Sequence, residues 1–169
     1  MKNVVLIGMP GSGKSTVGVV LAKVLGYRFV DSDLVIQEEE GKLLHEIISE
    51  RGMEGFLEVE NKINSSLTLE KSVIATGGSV IYGEQAMEHL REIGTIVYLK
   101  LPYRNLRRRL GNLKDRGVVL KPGQTLKGLY EERTPLYEKY ADLVVDEENM
   151  GIRDTVEKVV CVLKKGEVH

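Results

Sequence analysis

Short apolar runs alternate along the whole chain with segments whose apolar residues recur at helical spacing. Val4-Val5-Leu6-Ile7 is a continuous apolar run stopped by Gly8, the pattern of a strand buried on both faces. Val17, Val20, Leu21, Val24 and Leu25 then fall at i, i+3, i+4, i+7 and i+8, and Gly26 follows as a helix stop. Arg28-Phe29-Val30 predicts a second strand ending at Asp31-Ser32-Asp33, with helices over 34–40, 43–51 and 54–69. Further strands are expected at 73–76, 95–101 and 142–145. Helices are expected over 84–93, 103–110 and 126–140, the last interrupted at Pro135, and a closing amphipathic helix carries Val156, Val159, Val160 and Leu163. Segment 111–124 contains Gly111, Gly117, Pro122 and Gly123 and lacks periodicity, so it is expected to be a mobile loop. The tail 164–169 is expected to fray.

Strands alternating with helices imply βαβ units, right-handed crossovers and a parallel sheet. Such sheets place ligands beyond the carboxyl ends of their strands. Here those ends read Gly8, Asp31-Ser32-Asp33 and Gly77-Gly78. The most chemically suggestive residues therefore share one edge of the sheet.

Composition narrows the class without changing it. The 169 residues are 42% hydrophobic and 29% charged, which suits one globular domain over 1–169. Lys and Arg number 24 against 25 Asp and Glu, so no global field draws nucleic acid or an anionic membrane. A lone Cys161 cannot close an internal disulfide, and His45, His89 and His169 lack metal-ligand spacing. The apolar run after Met1 is too short for a leader peptide, and no run is long enough for a membrane helix. The expectation is a cytoplasmic monomer with a small-molecule partner, no nucleic acid and no membrane.

Gly8-Met9-Pro10-Gly11-Ser12-Gly13-Lys14-Ser15-Thr16 fits G-x-x-x-x-G-K-[ST] between a predicted strand and a predicted helix. Glycines there let successive backbone N–H groups converge on phosphate oxygens, and the helix start adds its positive dipole end. Gly11, Ser12, Gly13, Lys14, Ser15 and Thr16 are thus the candidate nucleotide cradle, with Lys14 on the β- and γ-phosphates and the Ser15 hydroxyl on Mg2+. The pattern points to ATP or a similar triphosphate and is silent about what receives the phosphate.

Together with Phe29-Val30-Asp31-Ser32-Asp33, Gly52-x-x-x-Phe56-x-x-x-Glu60, Thr76-Gly77-Gly78, Asp115-Arg116, Arg133-Thr134-Pro135-Leu136-Tyr137 and Ala141-Asp142, this loop resembles the shikimate kinases across nearly the whole chain. The resemblance implies a three-layer α/β P-loop kinase fold. Its five-stranded parallel sheet has the order 2-3-1-4-5 and is flanked by helices, with an acceptor-binding helical region about 33–69 and a mobile lid about 111–124. It implies transfer of the ATP γ-phosphate to the 3-hydroxyl of shikimate, a step in aromatic amino acid biosynthesis. By position, Asp31 would help hold Mg2+ through water, and Asp33 would orient the acceptor hydroxyl. Gly77 and Gly78 would offer backbone N–H groups to the acceptor, and Arg133 would bind its carboxylate. Arg116 would close onto the transferring phosphate, and Arg109 would pack beside adenine. Lys14, Asp33 and Arg116 form the implied catalytic set.

Plainer readings stand beside these. Asp31 and Asp33 could cap a helix, and Arg104, Arg107, Arg108 and Arg109 could be a solvated face. Arg133 shares an apolar stripe with Leu126, Leu129 and Tyr130, so its inward charge needs a ligand or a protein carboxylate as partner. The chain also departs from the family pattern. Leu57 stands where an acceptor-binding arginine is usual, Met53 replaces a glutamate, Ser79 replaces a glycine, and the lid reads Arg116-Gly117-Val118-Val119. Losing a hydrogen bond to a charged group costs about 1.5–3 kcal/mol, so Leu57 bears on which acceptor is taken. Arg51 or Lys62 could supply the missing charge. Alternatively, the acceptor could be another hydroxyl compound such as homoserine or gluconate, or the chain could be a nucleotide-gated binding module.

Overall fold

The computed structural model describes residues 2–110 and 120–167. Strands β1 (Asn3–Ile7), β2 (Arg28–Asp31), β3 (Ser72–Ala75), β4 (Gly94–Lys100) and β5 (Leu143–Asp146) form one sheet in the order β2-β3-β1-β4-β5, every pair parallel. Interleaved with them are α1 (Lys14–Leu25), α2 (Ser32–Glu40), α3 (Leu44–Ser65), α4 (Glu84–Ile93), α5 (Tyr103–Leu110), α6 (Leu126–Tyr140) and α7 (Ile152–Glu167). Because side chains alternate across a strand, β1 feeds both layers. Val4 and Leu6 pack with Leu21 of α1 and Val156 and Val159 of α7. Val5 and Ile7 pack with Met87 and Leu90 of α4 and Leu129 and Tyr137 of α6. The fold is the expected three-layer α/β arrangement.

β1 pairs with β3 on one side and β4 on the other, so the chain reverses its winding beside the carboxyl end of β1. A crevice opens at such a point. Facing it, α2 and α3 carry a satellite core of Ile36, Ile47, Phe56, Val59 and Ile63, a small helical wall independent of the sheet.

Two separate helices were expected over 43–69, and the chain forms α3 with a break at Gly52, whose φ of 73° and ψ of 176° are accessible essentially to glycine alone. The break re-aims the second half of α3, so that Met53, Phe56 and Glu60 line the crevice. The helix ends at Ser65 rather than 69, and a 3-10 turn at Val80–Tyr82 follows Gly77-Gly78 unforeseen.

Two expectations fail. Pro135 does not interrupt α6, which runs unbroken to Tyr140. The proline leaves the Glu131 carbonyl without its helical donor. Both residues are exposed, so water can serve that carbonyl, and Thr134 Oγ1 donates to the Tyr130 carbonyl at 2.6 Å. Nor does the tail fray from Lys164, because α7 continues to Glu167. Residues 168–169 and most of the expected lid, 111–119, lie outside the described residues.

Candidate active site

The loop between β1 and α1 builds the first wall of a cleft of about 960 Å³. Gly11 and Gly13 sit at φ 87° and 86°, left-handed conformations that let the loop turn tightly and place Gly13 at the N-cap of α1. Lys14, 7% exposed, donates from Nζ to the carbonyls of Gly8 at 2.8 Å and Met9 at 2.9 Å. Burial pushes this amine down to about 8 against the pull of Asp33, Glu147 and Asp31. From α5, Arg109 reaches across and donates Nη1 to the Gly11 carbonyl at 3.2 Å, which brings the guanidinium onto the cradle.

Asp31 closes β2 and caps α2, its Oδ1 accepting from the Asp33 backbone N–H at 2.9 Å. The capping reading of Asp31 is therefore correct, and it does not exhaust the residue. Its other oxygen accepts from the Ser15 hydroxyl at 3.5 Å, so the cap also presents a carboxylate to the phosphate loop. Asp33 points into the cleft, where burial first and the Asp31 charge second push its carboxyl up to about 6.

The opposite wall is the loop after β3. A methyl group on Gly77 would lie 2.8 Å from Asp33 Oδ1 and 3.0 Å from Glu60 Oε2, and one on Gly78 would lie 2.9 Å from Arg133 Nη1. Only bare backbone fits between these charges. Tyr137 fixes the loop by donating to the Gly78 carbonyl at 2.6 Å. Arg133 is 7% exposed and stacks over the Tyr82 ring at 5.5 Å. Among the described residues it forms no salt bridge, and its Nε has no hydrogen-bond partner. A buried guanidinium left this way is set for an anion from outside the chain.

Gly11, Gly13, Lys14, Ser15, Thr16, Asp33, Gly77, Gly78 and Arg133 all line this one cleft, with Ser12 and Asp31 supporting it from behind. Arg116 lies outside the described residues. Leu57 does not line the cleft; it packs against the satellite core. Arg51 pairs with Glu40 at 3.5 Å, and neither Arg51 nor Lys62 reaches the cleft. Glu60, named from sequence only within the Gly52–Glu60 stretch, and His45, named only as lacking metal-ligand spacing, were given no site role, and both line the cleft. Glu60 is 2% exposed; burial pushes its carboxyl up to about 7, against a hydrogen bond from Ser79. Glu147, just past β5, is likewise buried and raised to about 7, with Arg109 and Lys14 opposing.

The cleft thus joins a phosphate loop to a pocket holding two carboxylates and one guanidinium that forms no salt bridge among the described residues. Comparison with known proteins gives the same picture over the full length. The family model described as shikimate kinase matches residues 10–164. A shikimate kinase from Thermodesulfovibrio yellowstonii is 38% identical over 163 residues, covering 95% of this chain and 94% of that protein. One from Chlorobium chlorochromatii is 40% identical over 166 residues, covering 91% of this chain and 86% of that protein. The solved structure of shikimate kinase from Acinetobacter baumannii in complex with shikimate superimposes with a TM-score of 0.88 at 34% identity, covering 100% of this chain and 96% of that one. With the family model matched over most of its length and relatives of 38–40% identity covering more than nine-tenths of it, the chain belongs to the shikimate kinase family.

Proposed function

We propose that the protein transfers the γ-phosphate of ATP to the 3-hydroxyl of shikimate. The observation that carries this reading is the cleft itself. A phosphate loop, the Asp33 carboxylate and a buried guanidinium with no salt bridge among the described residues line it together. Phosphoryl transfer is mainly positioning and charge stabilisation, and these are the groups it needs. Lys14 would leave its loop carbonyls for the β- and γ-phosphates, and Arg109 would flank the base. The Arg133 fork would grip the shikimate carboxylate with two bonds. Backbone N–H groups of Gly77 and Gly78 would hold the ring, and Arg116 would add a cation at the transferring phosphate. Asp33 would align the 3-hydroxyl and take its proton as the oxygen attacks phosphorus.

The Ser15 hydroxyl and the Asp31 carboxylate, 3.5 Å apart at the mouth of the loop, are hard oxygen donors that suit Mg2+ completed by phosphate oxygens and water. Ser15 would bind it directly and Asp31 through water, and the ion would offset charge building on the phosphates. Homoserine and gluconate are not favoured, since the matching relatives are shikimate kinases and Leu57 is turned away from the acceptor. Nor do these relatives favour a binding module without turnover.

ADP release measured with shikimate, homoserine and gluconate in turn tests the proposal. Shikimate should accelerate it strongly, and a rate no faster than with no acceptor would overturn the reading. Asp33→Asn should abolish most of the turnover while ATP binding persists.

A further inference from the structure

Glu60 is the most unusual group in the cleft that the reaction as described does not use. Its carboxylate is almost fully buried, and among the described residues it has no salt-bridge partner. Oε1 accepts a hydrogen bond from the Ser79 hydroxyl at 2.8 Å, while among the described residues Oε2 has no partner. That free oxygen lies 3.0 Å from the point where a Gly77 methyl group would sit, and Asp33 Oδ1 lies 2.8 Å from the same point. Two carboxylate oxygens thus converge on one small patch of the acceptor wall. A buried carboxylate with one oxygen tethered and the other bare is poised to accept from a donor that the described residues do not provide.

The nearby helix offers no cation to do Ser79's work. Residue 57 is one turn before Glu60, at i, i+3, where a basic side chain could reach the carboxylate. It is leucine, packed into the satellite core. Lys62 is exposed and Arg51 is paired with Glu40. The tether therefore comes from the loop after β3, nineteen residues away in sequence.

We propose that Ser79 is a positioning residue that sets acceptor specificity through Glu60: its hydroxyl fixes the carboxylate so that Oε2 accepts a second hydroxyl of the acceptor beside the one aligned by Asp33. The pocket then selects a vicinal polyol that also carries a carboxylate. An alcohol with a single hydroxyl leaves Oε2 bare and is disfavoured. This rests on shikimate being the acceptor.

Ser79→Ala keeps Cβ and removes the hydroxyl, Ser79→Gly removes both, and Ser79→Thr keeps the hydroxyl. Steady-state kinetics should show the first two raising KM for shikimate about tenfold or more, the fold-change of one hydrogen bond to a charged group, with kcat little changed. Their acid limb in kcat/KM should move to higher pH, because a lost donor to the ionised carboxylate raises its pKa. Ser79→Thr should restore both values toward wild type. Leu57→Arg placed on Ser79→Ala should recover KM by supplying a new partner at i, i+3. A KM raised without movement of the acid limb, or an unchanged KM, overturns the proposal. Carbon-13 NMR of the glutamate carboxyls in the ligand-free protein separates this from the assignment of the acceptor. The Glu60 midpoint must rise in Ser79→Ala whichever acceptor is used, and an unmoved midpoint overturns the tether. Wild-type protein that fails to turn over shikimate overturns the acceptor instead.

Discussion

Glu60→Gln should reverse the ordinary pH dependence of a stability change, and the size follows from burial. The carboxyl is raised from 4.5 to about 7 in the folded protein, first by desolvation and then by the Asp33 charge. At 1.36 kcal/mol per pH unit, that amounts to about 3 kcal/mol of stability. A raised acid favours the protonated native state. Its contribution is complete below the unfolded pKa, falls as pH rises between about 4.5 and 7, and is gone above the folded value. Glutamine has nothing to titrate. Its Oε1 still accepts from Ser79, and its new amide N–H2 replaces Oε2 without a partner, at a cost of about 1–3 kcal/mol that does not depend on pH. The absolute difference at any one pH is therefore uninformative, and the slope carries the result. Urea denaturation of both proteins, from about pH 4.5 to about pH 8 at constant ionic strength, should show the variant gaining about 3 kcal/mol on wild type across the range. In thermal scans the relative gain is about 6–12 °C for a chain of this size. Parallel stability curves would mean that Glu60 ionises freely in the folded protein, and its burial would then have no electrostatic consequence.

Other expectations follow from the same site. Asp33, raised to about 6, must be ionised to accept a proton, so kcat/KM should fall with a two-proton slope below about 6, and in the residual activity of Asp33→Asn only the Glu60 limb near 7 should remain. Lys14, lowered to about 8, loses its charge as pH rises through that value; nucleotide affinity measured by calorimetry should therefore fall from pH 7 to pH 9, whereas a flat affinity would put the ammonium elsewhere. Gly52→Ala meets no atom within 4 Å, so its penalty is backbone strain alone, about 1–3 kcal/mol by denaturation. The same variant should raise KM for the acceptor, since the break aims Met53, Phe56 and Glu60, and an undisturbed KM would detach the break from the site.

Local pattern carried much of this architecture into view before any coordinates. The four apolar residues after Asn3 read as a doubly buried strand because both faces of β1 are indeed covered. Arg133 was legible for a similar reason: a cation in an apolar stripe at helical spacing must be turned inward, and it is. The same signal existed for Glu60 and went unused. Phe56, Val59, Glu60 and Ile63 fall at i, i+3, i+4 and i+7, and a carboxylate in that stripe is as conspicuous as a guanidinium. Pro135 misled because proline's effect depends on whether the orphaned carbonyl can reach water, which is a tertiary property. The Ser79 tether could not be read at all, since it joins two segments that meet only when α3 folds across the loop after β3. Leu57 stood out as a departure from the family pattern, but sequence could not say that its side chain would pack against the satellite core and not line the cleft.

The charges in the cleft are individually unfavourable and collectively ordered. Burial holds Lys14 below its ordinary range and lifts Asp33 and Glu60 above theirs, so the ligand-free site bears ions that would be more stable in water. Replacing such groups with apolar ones would stabilise the fold. Their arrangement explains why they serve binding instead. Lys14 lies in the phosphate loop and Arg133 beside Gly78, with the carboxylates of Asp33 and Glu60 meeting beside Gly77. A molecule that is anionic at one end, hydroxylated in its middle and brought against a phosphate chain satisfies every one of these groups in order. Reversing it sets anion against carboxylate and leaves Arg133 bare. Like-charge contact at close range costs more than a missing hydrogen bond, so the alternation fixes the orientation of the acceptor as well as its affinity. On this reasoning the buried acids contribute by rejecting the wrong pose, and the stability they cost the empty protein is recovered only when the correct one is bound.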